Sequence, residues 1–408
     1  MKYIVVLGDG MADEPLEALG GKTPLEYANT PAMDMLAKKS EIGMAATIPE
    51  GMSPGSDTAN LAVLGYNPRQ YYTGRSPLEA LSIGVQMKDT DIAIRCNLVT
   101  VSDDDVPYAE KIILDHSASE ISTNDALVLL NAVKEELEND IFQYYLGTSY
   151  RHLTIWNHGR VVNLIPPHDI LGNKIGDYLP TVVEDDVDAT LLQAMMERSY
   201  QILNQHPLNV ERAKKGLHKA NSIWFWGAGT KPMLDSFMSK FHKKGAMISA
   251  VDLLKGIAVG AEMKVVIVEG ADGTLHTNYE GKARAAVKEL LYNDHDFVYI
   301  HVEAPDEMGH QGRLDAKIEA IEKIDQHIVK VVVEEMEKAQ CDYRMLIMPD
   351  HPTPIKLRTH TSNPVPYLLY DSTRQIEKEQ MYTEKEASKN GILMLEGYQL
   401  IQKLFKEF

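Results

Sequence analysis

Two short apolar runs near opposite ends of the chain each finish on side chains of the types that can ligate metal ions, and a fold that uses them as one set has to bring those ends together. Tyr3–Leu7 runs into Asp9, and far downstream MLIMPDH runs into Asp350 and His351. PDEMGH adds Asp306 and His310, and THTSNP adds His360. Strand-like runs ending on ligand-type residues are what an α/β enzyme shows, because its chemistry sits beyond the carboxyl ends of its strands. Carboxylate and imidazole together suit Mn, Zn or Fe, and the six groups are enough for two ions.

The chain's 408 residues are too many for one ordinary core and imply two domains. The formal net charge of -18 argues against a broad nucleic-acid or anionic-membrane surface, while leaving room for a small phosphorylated substrate held by a local cationic cluster. Two cysteines, Cys96 and Cys341, both in or beside apolar runs, read as buried reduced thiols and not as a disulfide framework. The opening MKYIVVLGDGMADE reaches Asp9 and Asp13 too soon for a signal peptide, and no stretch attains the ~20 apolar residues of a membrane helix. A cytoplasmic protein is the expectation. No heptad seam marks a partner helix, so nothing in the pattern fixes an oligomeric state.

Strand-like and helical patterns alternate along most of the length, which predicts an α/β fold with a mostly parallel sheet. Pro31 is placed to open a helix from Ala32 to about Lys39, and a Gly- and Pro-rich stretch feeds a short helix from Asp57 to Leu64. The middle reads as a unit of its own. It has a strand at IAIRCNLVTV, a helix to about Glu138 capped by Thr123 or Asp125, strands near 142–145 and 152–156, a helix from about Asp186 to Asn204, and a strand at 222–226 leading into GAGTKP. WFWGAG at 224–229 is either a glycine loop for an anion or a strand end packed on the core. From about 246 the opening style returns, and Ile318, Ile321, Ile324, Ile328 and Val332 keep helical spacing through one long helix, 315–338. The expected layout is a discontinuous core domain, 1–83 and 245–408, with a smaller α/β domain, 84–244, inserted.

Ser56, between Gly55 and Asp57 at the mouth of a helix, suits either an ordinary helix cap or a nucleophile beside amides that stabilise an anion. Direct metal coordination would lower the hydroxyl pKa and make such a serine reactive toward phosphorus. Asp306 and His310, four apart, face the same way on a helix.

The stretches GDGMAD, PGSDTANLAVLGYNP, YYTGRSPLEA, IRCN, ISAVDLLKGIA, TNYEGKA, EAPDEMGH, PDHPTP and THTSNPVPYLLY span nearly the whole chain. Together they resemble the cofactor-independent phosphoglycerate mutases of the archaeal type, within the alkaline-phosphatase-like metalloenzymes. The resemblance implies an alkaline-phosphatase-like core with an inserted domain. It also implies an isomerase that interconverts 3- and 2-phosphoglycerate in glycolysis through a phosphoserine on Ser56, without bisphosphoglycerate. It implies one ion held by Asp306, His310 and His360, and another by Asp9, Asp350 and His351, with Ser56 reaching the pair. Manganese is the family's usual metal, with zinc or cobalt as alternatives. Such an enzyme needs cations for a carboxylate and a phosphate, and Arg95, Arg151, His152 and Lys282 are the candidates. The resemblance supports Asn97 beside them, and His116 is a candidate acid or base for the glycerate hydroxyls. Two stretches depart from the family pattern, KPMLDSFMSKF and VEGADGTLHTNY, the second placing Asp272 where a neutral residue is expected. The same metal set would also serve a phosphomonoesterase, or a phosphotransferase acting on a hydroxy amino acid such as homoserine.

Overall fold

The computed structural model describes residues 1–180, 187–374 and 377–406. They form two compact units, Met1–Tyr72 with Met233–Phe408, and Thr73–Pro232.

The first unit is built on an eight-stranded sheet. Lys2–Gly8 lies in its middle, parallel to Phe297–Val302 on one side and to Tyr343–Met348 on the other. All three strands are apolar along nearly their whole length and buried, as strands covered on both faces must be. Gly245–Ile248 and Lys264–Val266 extend the sheet in parallel beyond Phe297–Val302. On the far side Val365–Asp371 and Ser40–Ala45 each pair antiparallel, and Leu393–Met394 closes that edge in parallel. The sheet is mostly parallel, as the strand–helix alternation requires. Its consequence for chemistry is direct: three adjacent parallel strands end side by side, so the residues following each of them share one neighbourhood.

The helix expected over 315–338 is divided. Leu314–Ile324 and Lys330–Lys338 are α-helical, and between them Asp325–Val329 winds as a π turn. The Asp325 carboxylate accepts the amide hydrogens of Met33 at 2.7 Å and Ala32 at 3.2 Å, which caps the helix Pro31–Ala37 from across the fold. Helical periodicity cannot register a π turn whose cap partner is so remote in sequence.

One ion pair lies wholly inside this unit. Lys317 Nζ donates to Asp13 Oδ2 at 2.8 Å and to the Thr353 carbonyl at 2.8 Å, and both charged side chains are completely buried. Asp13 Oδ2 also accepts the Ile355 amide at 3.1 Å. The lysine thereby fastens the loop after the first strand to the loop after Tyr343–Met348.

In the second unit Asp91–Val101 is the central strand, flanked antiparallel by Arg151–Asn157 and Ser222–Thr230. Phe142–Tyr145 pairs antiparallel outside Arg151–Asn157, and Ile113–Asp115 pairs with the end of the central strand. The helices Thr123–Leu137 and Val187–Leu203 complete it. Ser122 is the cap of the former, its hydroxyl accepting the Asp125 amide, in place of the expected Thr123 or Asp125. The start expected for the latter, Asp186, lies outside the described residues. Every strand pair here is antiparallel, so the inserted unit departs from the parallel pattern of the core. WFWGAG lies within the strand Ser222–Thr230, with Trp224 and Phe225 buried, which is the packed-strand reading.

The contact boundaries precede the expected 83 and 245. Helix Arg75–Ser82 packs on strand Ser222–Thr230, where Ser76 Oγ donates to the Gly227 carbonyl and a Cβ on Gly229 would stand 2.3 Å from the Thr73 carbonyl oxygen. Phe237, in turn, stacks on Phe297 at 4.9 Å within the first unit. No helix among the described residues is long and apolar enough to cross a membrane.

The buried pair makes a stability prediction. Lys317→Met leaves Asp13 buried without its counter-charge and should cost about 3–5 kcal/mol in urea unfolding, with the double variant Asp13→Asn/Lys317→Met recovering a large part. A loss below about 1 kcal/mol, within the range of a surface pair, would contradict the assignment.

Candidate metal centre

The three adjacent strands deliver their ligand-type residues as the topology demands. Asp9 follows the first strand, Ala304–His310 forms a helix after Phe297–Val302, and Asp350 and His351 follow Tyr343–Met348. On that helix Asp306 and His310 do share a face, with His310 Nε2 3.3 Å from Asp306 Oδ2. His360 Nε2 comes within 3.4 Å of Asp306 Oδ1 and 2.9 Å of His310 Nε2. One group able to hold an ion is therefore Asp306, His310 and His360, and a second is Asp9, Asp306 and His351, the donor atoms of each lying within 4.8 Å of one another.

Asp306 thus belongs to both groups, where the expected division gave it to one. Asp350 differs in the opposite sense. Its Oδ1 accepts the amides of Gly10 at 3.1 Å and His351 at 2.8 Å, and its Oδ2 accepts Asn60 Nδ2 at 2.8 Å while lying 3.4 Å from His351 Nε2. Gly10 is required at this approach: it has φ +61°, and a Cβ there would stand 2.6 Å from Asp306 Oδ1.

Ser56 is the first residue of helix Ser56–Val63, and its Oγ lies 3.1 Å from His351 Nε2. A second hydroxyl, Thr353 Oγ1, is fully buried, donates to Asp306 Oδ1 and sits 3.3 Å from His351 Nδ1. With His351 Nδ1–H directed to Thr353, Nε2 is left with its lone pair toward Ser56 and the carboxylates. His310 Nδ1 lies 3.0 Å from the Arg358 carbonyl, to which its N–H donates.

The electrostatics at Asp9 call for a cation. Burial, with Asp350 and Asp306 close by, raises Asp9 well above the usual carboxylate range. Burial would also raise Asp306, yet the hydrogen bonds from His310 and His360 hold it well below. His310 is correspondingly raised to about 9 by its bond to Asp306. Asp9 Oδ1 is buried with no hydrogen-bond partner among the described residues. An orphaned carboxylate oxygen among imidazoles and further carboxylates fits a divalent ion, which would supply what the protein does not.

The expected substrate residues of the second unit also have definite places. Arg95 is buried, donates to Glu79 at 2.8 and 2.5 Å, and lies 4.4 Å over the Trp226 ring. Asn97 Oδ1 accepts Trp226 Nε1 at 3.1 Å. Arg151 is exposed and stacks on Tyr150 at 4.7 Å. The His116 ring meets Tyr150 at 5.6 Å and His168 at 6.0 Å. His152 is buried, its Nδ1 accepting the Gly147 amide at 3.2 Å, and burial lowers its pKa to about 4, so it is neutral and not the cation expected of it. In the first unit Lys282 is fully buried with Nζ on the His301 carbonyl at 3.1 Å, away from solvent. Asp272 is exposed and closes its own turn, accepting from the Thr274 amide and hydroxyl at 2.9 Å each.

Sequence reasoning missed Asn60, Thr353, His301, whose Nε2 lies 2.9 Å from Asp9 Oδ2, and Tyr299, whose hydroxyl donates to Asn60 Oδ1 at 2.6 Å. Asn60 was findable, because it stands one helical turn after Ser56 in SDTAN. Thr353, two residues after His351, had the weaker mark of proximity. His301 and Tyr299 sit inside an apolar strand that reads as core.

A family model described as 2,3-bisphosphoglycerate-independent phosphoglycerate mutase matches residues 37–209. A probable 2,3-bisphosphoglycerate-independent phosphoglycerate mutase of Geobacter sulfurreducens is 47% identical over 407 residues, 99% of each chain. Among solved structures, a protein from Pyrococcus horikoshii has a TM-score of 0.81 at 27% identity, covering 100% of this chain and 98% of its own. The cofactor-independent phosphoglycerate mutase from Thermoplasma acidophilum has a TM-score of 0.66, also at 27% identity, over 99% of each chain.

The buried imidazole in the second unit yields a pH dependence. His152 titrates at about 4 when folded against an ordinary 6.5, so the unfolded chain takes up that proton first. Its contribution to stability is complete above pH 6.5 and is lost as pH falls toward about 4. Chemical denaturation across that window should show His152→Asn with a flatter profile than the parent; parallel profiles would refute the buried neutral ring.

Proposed function

The chain belongs to the 2,3-bisphosphoglycerate-independent phosphoglycerate mutases, and on that premise we propose that it interconverts 3- and 2-phosphoglycerate through a phosphoserine on Ser56. It is an enzyme with phosphoglycerate-mutase-type chemistry; the covalent intermediate, the two-ion site and the roles of single residues are the proposal. The observation that carries it is the 3.1 Å approach of Ser56 Oγ to His351 Nε2, where the second donor group converges. Thr353 cannot take this part, because its hydroxyl is fully buried and already bonded on both sides.

In this reading Asp306, His310 and His360 hold one ion, and Asp9, Asp306 and His351 the other, with Asp350 and Ser56 alongside the second. Two divalent ions, when bound, supply Lewis-acid stabilisation of the charge that develops on a transferring phosphoryl group. Manganese is the proposed metal. Ser56 Oγ attacks phosphorus, the bond from phosphorus to the glycerate 3-oxygen breaks, and the freed alkoxide takes up the proton that the serine gave up. Return of the phosphoryl group to the 2-hydroxyl restores the serine, so no cosubstrate is consumed. The helix begun by Ser56 holds the nucleophile still, since Asn60 Nδ2 donates both to the Ser56 carbonyl and to Asp350 Oδ2, each at 2.8 Å. Arg95, Asn97, Arg151, His152, His116 and Lys282 remain the proposed substrate residues. For His152 and Lys282 the burial described above makes a supporting role the fitting one. A cytoplasmic location completes the reading, and the two free thiols, Cys96 buried as expected and Cys341 only partly buried, suit a reducing compartment.

Phosphorus NMR on 3-phosphoglycerate with Mn²⁺ and no bisphosphoglycerate tests the reaction. The 2-isomer should appear without net release of phosphate. Inorganic phosphate alone would make the protein a phosphatase, and ATP-dependent phosphorylation of homoserine would make it a kinase. Ser56→Ala should lower isomerisation by about 10³-fold or more, because the nucleophile is gone. Normal turnover in that variant would remove the phosphoserine from the pathway.

A further inference from the structure

His301 is the one strongly polar side chain in the strand Phe297–Val302, and it is completely buried. A buried imidazole needs partners at both nitrogens. Its Nε2 lies 2.9 Å from Asp9 Oδ2 and its Nδ1 lies 3.2 Å from Ser249 Oγ. The Asp9 carboxylate sets the direction of this chain, because an ionised oxygen at Nε2 can only accept, while the Val251 amide, donating to Ser249 Oγ at 3.0 Å, holds the hydroxyl in place. The serine hydrogen is then available to His301 Nδ1, and the ring's own N–H is on Nε2, donated to Asp9. His301 is in neither donor group that could hold an ion. It is also held from behind, because its carbonyl accepts Lys282 Nζ at 3.1 Å.

We propose that His301, oriented by Ser249, is a positioning residue for the metal centre: by occupying Asp9 Oδ2 it leaves Oδ1 as the single carboxylate oxygen offered to an ion. Oδ1 is the buried atom without a hydrogen-bond partner among the described residues, 3.5 Å from His351 Nε2. An imidazole N–H on one oxygen fixes the rotation of the carboxylate and keeps it from chelating through both oxygens. The effect is local to the group formed by Asp9, Asp306 and His351, so it acts on one ion of the pair. The inference rests on the two-ion reading above and adds to it a side chain that touches no ion.

Calorimetric titration of metal-free protein with Mn²⁺, with the visible absorption of Co²⁺ as a second readout, separates the ions. His301→Leu should weaken one of two binding events by about 10–100-fold and leave the other unchanged. His301→Gln, whose amide nitrogen can donate where Nε2 did, should recover most of that loss. Ser249→Ala should weaken the same event to a lesser extent, and it carries the test should His301→Leu fail to fold, as thermal melting of the metal-free variants will report. Retention of both binding events in His301→Leu, or equal weakness of the Leu and Gln variants, would overturn the positioning role while leaving the two-ion reading intact. A parent protein that binds a single ion, or an Asp9→Ala variant that still binds two normally, would overturn the two-ion reading and the inference together.

Discussion

Mutual repulsion among buried carboxylates is the constraint around which the rest of this molecule is arranged. Asp9, Asp306 and Asp350 are each almost wholly out of water, and Glu303 lies near enough to raise Asp9 further. A sheet does not bring such groups together for stability, since uncompensated buried charge is among the most expensive features a protein can carry. The parallel order of the three central strands places them there regardless, because each strand ends where its neighbours end. Stability supplied elsewhere in the apolar core is what allows the arrangement to exist before any ion arrives.

The answer of the fold is to give each carboxylate a different surrounding. Asp350 is met by two backbone amides and the Asn60 side chain, and Tyr299 holds Asn60 in turn through a 2.6 Å bond to its Oδ1. Asp306 is met by two imidazoles and a threonine hydroxyl. Asp9 has a neutral imidazole on one oxygen and, among the described residues, no hydrogen bond on the other. The three acids thus range from fully satisfied to half-satisfied, and the least satisfied is the one with most to gain from a cation.

How much of this was legible in the sequence follows from where the determining contacts lie. The central strands and their terminal ligands were legible, because an apolar run followed by an acid or imidazole is a local pattern. The common face of Asp306 and His310 was legible only on condition that their segment is helical, which the helix Ala304–His310 satisfies. Sharing of Asp306 between two groups was not, since it depends on the angle at which one short helix leaves the sheet. The antiparallel order of the inserted sheet was equally hidden, because strand and helix alternate there as they do in the core. The π turn at Asp325 escaped for the same reason as the buried pair Asp13–Lys317: each serves a partner in a distant part of the chain. Burial reversed the meaning of His152, whose residue type announces a cation but whose surroundings exclude water.

The hydroxyl of Thr73 donates to the carbonyl of Thr230 at 2.6 Å, so the polypeptide enters and leaves the inserted unit through one stitched seam. A segment whose two ends are already joined can be excised, or exchanged for a relative's, with little entropy lost in closing the gap. The architecture therefore lends itself to modular replacement at that seam.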